Sequence, residues 1–140
     1  MSKLYQTYNL QEISHLNLIR DKIIKKLKKK NKKFNGDLAS IHKYFNKKNI
    51  NSVRIDCFNE INLNLNWENI IKKISFKELR KYFGSDILIQ TKLNLSIQMP
   101  NDKSSILNLH SDCWSADSPF QLNLWIPLTD AFESNSMFIK

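Results

Sequence analysis

The chain has 140 residues, enough for one ordinary domain, and its 41% hydrophobic and 11% aromatic residues suffice for a core. The net charge is +9, whereas glycine and proline are scarce. This composition excludes a largely disordered chain and a flexible linker. No stretch reaches the roughly 20 apolar residues of a membrane span, residues 1–10 do not resemble a signal peptide, and no CxxC pair occurs. A cytoplasmic protein without a membrane span is therefore predicted.

The positive charge has two interpretations. The lysine-rich run at residues 22–33 is typical of a basic face that binds nucleic acid or an anionic surface. The whole chain, however, is rich in Lys, Asn and Ile, which indicates a coding bias towards A and T and makes lysine content a poor guide to a partner. We therefore predict a solvated basic face and no specific nucleic-acid partner.

The first half of the chain has the pattern of short helices. Apolar residues recur at three- and four-residue steps over residues 10–27, which predicts an amphipathic helix. Asp37 is expected to cap a short helix that extends to Tyr44 and Phe45. Residues 53–58 are predicted to form a short strand.

Two further helices are predicted over residues 66–74 and 75–83. Ser75 precedes Glu78 by three residues, which is the spacing of a capping box. Gly84 follows at the position where a helix commonly ends.

The second half has a different pattern. Residues 92–99 alternate strictly between apolar and polar side chains, and residues 121–128 alternate again, with an aliphatic row set against Gln121, Asn123, Trp125 and Pro127. A period of two predicts strands. Residues 106–112 are predicted to form another strand between them, and residues 136–140 begin a fourth. Helices followed by strands predict an α+β fold.

His110 and Asp112 are candidate metal ligands. Residues two apart on a strand face the same side, so an imidazole nitrogen and a carboxylate oxygen can converge on one metal ion. The 2-His-1-carboxylate triad of non-haem iron sites adds a second histidine. Taken alone, the tripeptide is more typical of a hydrogen-bonded surface pair at the end of a strand. His15 and His42 lie in the helical half, where surface or packing roles are expected.

The sequence around this motif resembles a known family. Residues 90–140, which include LNLSIQMPNDKSSILNLHSDCWSADSPFQLNLWIPLTDAFESNSMFIK, resemble the phytanoyl-CoA-dioxygenase-like branch of the Fe(II)/2-oxoglutarate-dependent oxygenases. The HSDxWSxDSPF stretch is similar to a subgroup found with genes for surface carbohydrate synthesis. The resemblance covers the last third of the chain, and the first half matches only in being helical.

This resemblance implies both a fold and a reaction. The fold is a double-stranded β-helix, or jelly roll, whose first strands would follow the helical half. The cofactor is Fe(II), and 2-oxoglutarate and O2 are consumed while a small-molecule substrate is hydroxylated. A carbohydrate-pathway intermediate is the first expectation for that substrate, and a lipid or acyl thioester is the second.

The resemblance also implies roles for individual residues. His110 and Asp112 would be the first two iron ligands. Contacts to 2-oxoglutarate are implied for Gln98, Asn94 and Trp125. Contacts to substrate are implied for Trp114, Ser115 and Asp117. Alternative roles are a core aromatic for Trp125, a loop anchor for Trp114 and turn caps for the two polar loop residues. Cys113 would be a bystander.

Two functional residues of the family have no counterpart here. Its third ligand is a downstream histidine, followed by an arginine that pairs with the far carboxylate of 2-oxoglutarate. No histidine follows His110, and no arginine follows Arg80. We therefore expect one truncated domain, mainly helical over residues 1–84 with a partial jelly roll over 85–140, that is inactive alone. The alternatives are a basic helical binding module with an incidental HxD and a catalytically dead family member.

Overall fold

The structure, a computed structural model, describes residues 5–10, 13–103, 108, 110–115, 117–133 and 136, with only the backbone at 113 and 115. Within these described residues, the structure contains four α-helices and two 3-10 helices. These elements are α1 (Ser14–Lys30), the 3-10 helix Leu38–Lys43, α2 (Ile50–Asn64), α3 (Trp67–Ile74), α4 (Phe76–Phe83) and the 3-10 helix Asp112–Ser115.

The centre of the core is the contact between α1 and α2. Each helix buries residues at three- and four-residue steps, as an amphipathic helix must. The buried residues are Leu16, Ile19, Ile23 and Leu27 of α1 and Ile50, Val53, Cys57 and Ile61 of α2. The helix predicted over residues 10–27 is confirmed from Ser14 onward. It continues to Lys30, and its last turn is basic, which suits the negative end of the helix dipole.

The strand predicted over residues 53–58 is wrong, because these residues lie within α2. Val53, Ile55 and Cys57 alternate with polar residues over the first five positions, which imitates a strand. In the structure Val53 and Cys57 are buried, whereas Ile55 is 61% exposed. The four-residue step from Cys57 to Ile61 continues the helical face beyond the short window in which alternation was visible.

Side-chain caps mark the start of two further helices. The Asp37 side chain accepts a hydrogen bond from the Ala39 backbone N–H at 3.0 Å, so the predicted cap is confirmed. At the start of α3, the Asn66 side chain accepts from the Asn69 N–H at 3.1 Å. The boundaries predicted for α3 are thus confirmed to within one residue.

The predicted end of α4 is confirmed, but its predicted capping box is not. Gly84 ends the helix with a φ of 75°, a conformation that a side chain would disfavour. The Ser75 side chain makes no cap at the start of α4. Its hydroxyl instead donates to the carbonyl of Ile71 at 3.1 Å, because Ser75 also ends α3.

The predicted α+β fold with a jelly roll is wrong for the residues that the structure describes, which contain helices and no strand. The alternation over residues 92–99 does appear as alternating burial. Leu93, Leu95 and Met99 pack against the helical core and Ile97 is buried in it, while the intervening side chains are exposed. The apolar row is therefore covered by helices rather than by a second sheet. Residues 106, 107, 109 and 137–140, which belong to two other predicted strands, lie outside the described part.

Side chains of α2 take the place of a neighbouring strand. The Asn62 amide donates to the Leu93 carbonyl at 3.0 Å and accepts from the Leu93 N–H at 2.7 Å. Arg54 Nε donates to the Ile97 carbonyl at 2.8 Å. Arg54 and Asn62 are eight residues apart on the helix, about 12 Å, and Leu93 and Ile97 are four residues apart on the extended segment, about 13 Å. Because the later helix residue meets the earlier segment residue, the segment runs antiparallel along α2. Its backbone needs no sheet because the helix supplies hydrogen-bond partners.

A third contact of this kind attaches the segment that contains residues 121–128. Arg20 of α1 donates from Nε to the carbonyl of Leu128 at 2.9 Å. Ile126 and Leu128 pack against the core, whereas Leu122 is 49% exposed. The second alternating segment is thus docked mainly through its C-terminal end.

Cys57 is expected to resist alkylation in the folded protein. Its side chain is fully buried, and burial raises the pKa of the thiol to about 11. At pH 8 its thiolate fraction is therefore roughly 100-fold smaller than that of an ordinary thiol. A Cys113→Ser variant, in which Cys57 is the one remaining cysteine, should react with iodoacetamide at least about 100-fold faster in urea than in buffer. Equal rates in the two solvents would contradict the burial.

Candidate metal-binding site

His110 and Asp112 face one another at the surface. His110 Nε2 lies 3.5 Å from Asp112 Oδ1, and the two side chains are 45% and 39% exposed. This distance exceeds the 2.7–3.2 Å usual for a hydrogen bond between nitrogen and oxygen. The two atoms thus converge on a shared space without being bonded to each other.

The second nitrogen of His110 fixes its tautomer. His110 Nδ1 lies 2.7 Å from the Asn108 carbonyl oxygen. Because a carbonyl oxygen can only accept, Nδ1 carries the proton, and in the neutral ring Nε2 presents its lone pair. Metal-binding histidines commonly donate their other N–H in this way, which orients the ring.

Asn123 holds the second oxygen of the carboxylate. Its Nδ2 donates to Asp112 Oδ2, which leaves Oδ1 directed towards the imidazole. Gln121 Nε2 in turn donates to Asn123 Oδ1 at 3.0 Å. The two candidate ligands therefore belong to a polar chain that runs from the Asn108 carbonyl to the Gln121 amide.

Two turns build this arrangement. Asp112 is the first residue of the 3-10 helix Asp112–Ser115, which is closed by a hydrogen bond from the Trp114 N–H to the Ser111 carbonyl at 2.9 Å. A second turn, with the Gln121 N–H on the Ser118 carbonyl at 3.0 Å, brings the chain back towards Asp112. The ligands were expected to converge because they share a strand face. They converge instead through a tight turn.

The separation of His110 Nε2 and Asp112 Oδ1 is close to that of two donor atoms on one metal ion. A metal with ligands at about 2.1 Å holds adjacent donor atoms roughly 3.0–3.4 Å apart. The 3.5 Å between Nε2 and Oδ1 is close to that range, so a small rotation of either side chain accommodates an ion. One imidazole and one carboxylate suit a first-row divalent metal, Fe(II) among them. Both residues are exposed enough for water to complete the coordination.

The described residues do not supply a third ligand from protein side chains. They contain no group of three or more His, Cys, Asp or Glu side chains able to hold a metal ion. The other two histidines of the chain, His15 and His42, lie in α1 and in the 3-10 helix Leu38–Lys43. Within the described residues, the candidate site therefore comprises His110 and Asp112 with the polar contacts around them.

Of the other predicted site residues, Asp117 contacts this pair through its backbone, whose N–H donates to the Asp112 carbonyl at 3.3 Å, and most of the side chains face solvent. Asn94 and Gln98 are exposed on the segment that lies along α2. Trp125 is 47% exposed and Trp114 is 77% exposed, while Asp117 is also at the surface. The Ser115 side chain lies outside the described part. In these residues the structure shows an open surface rather than the enclosed barrel mouth that the resemblance implied.

Three residues of the polar chain had no predicted role of their own, namely Asn108, Gln121 and Asn123. A sequence signal existed for two of them. Opposite the apolar row of the alternating segment, Gln121 and Asn123 form one row with Trp125. Nothing in the sequence specified that this row would meet Asp112, since that depends on the turn at Ser118.

A separate groove lies between α3 and residues 85–91. It encloses about 530 Å³ and is lined in part by Trp67, Phe76 and Ile87. None of the predicted site residues lines it. The metal-binding geometry and the groove are therefore distinct features of the surface.

Comparison with known proteins leaves the chain without an assigned relative. No family model matches it, and neither a curated protein nor a solved structure does. Among the helices that the structure describes, none is long and apolar enough to cross a membrane.

Proposed function

We propose that His110 and Asp112 are two iron ligands of an Fe(II)- and 2-oxoglutarate-dependent dioxygenase. The observation that carries the proposal is the convergence of His110 Nε2 and Asp112 Oδ1 at 3.5 Å, with the remaining polar atom of each side chain already engaged. Fe(II) bound there would supply oxidative decarboxylation of 2-oxoglutarate by dioxygen, coupled to hydroxylation of a substrate C–H bond.

The residues of the chain perform the orienting work. The Asn108 carbonyl keeps the proton on His110 Nδ1, so Nε2 is the coordinating atom. Asn123 holds Asp112 Oδ2 and prevents the carboxylate from turning away. Such supporting contacts typically change metal affinity by about 10- to 100-fold.

The finer assignments rest on the sequence resemblance. We propose 2-oxoglutarate contacts for Gln98, Asn94 and Trp125, and a carbohydrate-pathway intermediate as the small-molecule substrate. A cytoplasmic location is part of the same proposal. Turnover additionally needs the distal histidine and the arginine, so the 140 residues are expected to bind metal without forming succinate.

Anaerobic titration with Fe(II) tests the metal site directly. Binding is followed by quenching of tryptophan fluorescence, since Trp114 lies two residues beyond Asp112. His110→Ala and Asp112→Ala should each weaken binding at least about tenfold, and Asn123→Ala about tenfold. His42→Ala removes an exposed histidine from the helical part and should leave the affinity unchanged.

The titration can contradict the proposal in two ways. Equal affinity in the wild type and in both ligand variants would show that the metal binds elsewhere. A loss in His42→Ala equal to that in His110→Ala would show that any surface histidine suffices. Circular dichroism of each variant establishes that the helical core is intact.

A further inference from the structure

The whole net charge of the chain comes from one contiguous segment. Residues 25–48, here called the basic segment, contain ten lysines and one acidic residue, Asp37, and so carry +9. The rest of the chain has twelve basic and twelve acidic residues and is neutral. A coding bias towards lysine alone would spread the charge along the chain. Its concentration in 24 residues therefore requires a local cause.

The fold brings the two lysine groups of the basic segment to one end of the helical bundle. The Asn31 side chain donates to the Tyr44 carbonyl at 3.1 Å, and the rings of Phe34 and Tyr44 meet edge to face at 5.3 Å. The residues that follow the C-terminal end of α1, 31–34, thus lie beside Tyr44, which is next to Lys43 and precedes α2. The charge is concentrated in space as well as in sequence.

Acidic residues of α2 neutralise the inner lysines only. Lys26 pairs with Glu60 at 3.6 Å, and Lys30 pairs with Asp56. The hydrogen bond from Lys30 holds the pKa of the Asp56 carboxyl below its usual range. The outer lysines are exposed and form no ion pair with any residue in the described part of the chain; they include Lys25, Lys28, Lys29 and Lys32.

The surroundings of these lysines decide between kinds of anionic partner. No large hydrophobic side chain within residues 25–48 is exposed. A helix that inserts into a membrane surface needs an exposed apolar face, but the apolar face of α1 is buried in the core. Binding of single-stranded nucleic acid normally uses exposed aromatic rings as stacking platforms. What remains is a dense array of flexible point charges, which suits the regularly spaced phosphates of a duplex.

We propose that the basic segment binds the phosphate backbone of double-stranded DNA without reading its sequence. Lys25, Lys28, Lys29 and Lys32 supply the main contacts, and Lys43 and Lys48 extend them. Each lysine that meets a phosphate releases condensed counterions, so affinity falls steeply as salt is added. The proposed metal site has no part in this binding.

Fluorescence anisotropy with a labelled mixed-sequence duplex of about 20 base pairs tests the proposal. The wild-type chain should lose affinity between about 50 and 200 mM NaCl with a logarithmic slope of about −4 or steeper. Each lost phosphate contact lowers the slope by about 1 unit, so changing Lys25, Lys28, Lys29 and Lys32 to Gln should reduce it by about 3 to 4. The same change should weaken binding at least about tenfold at the lowest salt.

A charge-matched control separates a local site from general attraction. Changing Lys73, Lys77, Lys92 and Lys103 to Gln removes four exposed lysines elsewhere, so both variants fall from +9 to +5. The control should bind within about twofold of the wild type. His110→Ala should bind as the wild type does.

The smaller variant Lys43→Gln/Lys48→Gln, changed in the second lysine group, should lose about 1 to 2 units of slope. This twofold variant still tests the DNA-binding proposal if the fourfold variant loses helix content.

Three results would overturn the proposal. Equal losses in the two fourfold variants would show that net charge alone attracts DNA. Absence of salt-dependent binding would remove the site altogether. Tighter binding to vesicles containing phosphatidylserine than to the duplex, at the same salt, would assign the basic segment to a membrane surface instead.

Discussion

Replacing Ile61 by alanine is expected to lower the free energy of unfolding by about 2–5 kcal/mol. Ile61 has no exposed surface and lies on the face of α2 that packs against α1. The substitution removes three carbon atoms from a close-packed position, and the helices cannot move together enough to fill the space. Total stabilities of small domains are about 5–15 kcal/mol, so a loss of this size is a large fraction of the whole. Urea unfolding followed by far-UV circular dichroism measures it.

Ile55→Ala is the matched control for that experiment. It makes the same chemical change on the same helix, but Ile55 is 61% exposed. Its effect should stay within about 0.5 kcal/mol, partly because alanine favours the helix. Similar losses at the two positions would mean that α2 does not pack through the Val53, Cys57 and Ile61 face.

Arg54→Ala is expected to destabilise the protein by about 2–4 kcal/mol and to release residues 97–102 from α2. Arg54 donates to the Ile97 carbonyl at 2.8 Å and to Asp102 Oδ2 at 3.2 Å. The Asp102 side chain is only 6% exposed, so removing the guanidinium leaves a buried carboxylate without this partner. The Arg54 side chain keeps some contact with water, so we expect the loss of stability to lie in the lower part of that range, about 2–3 kcal/mol.

Hydrogen exchange distinguishes this local release from a uniform loss of stability. The amide of Leu93 should remain partly protected through Asn62, whereas Asp102, whose N–H donates to the Met99 carbonyl, should exchange faster. Arg80→Ala, a change of the same type on the exposed surface of α4, should alter neither property by more than about 0.5 kcal/mol. In a double variant with Asp102→Ala, the loss should be smaller than the sum of the two single losses. Additive losses would show that the pair is not coupled.

Helix prediction succeeded where local chemistry decides the structure. The three- and four-residue steps of α1, the Asp37 cap and the Gly84 terminus all act within a few residues, so they are visible in the sequence. The strand predicted inside α2 failed because five alternating residues fit both a strand and one edge of a helix. Only the position of Ile61, a turn further on, separates the two.

The alternating residues of the second half show what a sequence pattern does and does not specify. The pattern over residues 92–99 correctly separates the buried side chains from the exposed ones. It does not specify what covers the apolar row, because a helical surface and a second sheet satisfy the same alternation. The jelly-roll prediction followed from the sequence resemblance, and the helices of the first half cover that row in the structure.

By itself, the sequence determined the positions of most helices, the apolar face of α1, the concentration of lysine in residues 25–48 and the identity of His110 and Asp112 as a candidate pair. Only the tertiary structure decided that α2 supplies Arg54 and Asn62 to the backbone of residues 93–97, and that Asn123 holds the Asp112 carboxylate. The physical reason is range. Caps and periodicity involve neighbours within about one turn, whereas these contacts join residues from 11 to 43 positions apart, and their geometry depends on how the intervening turns fold.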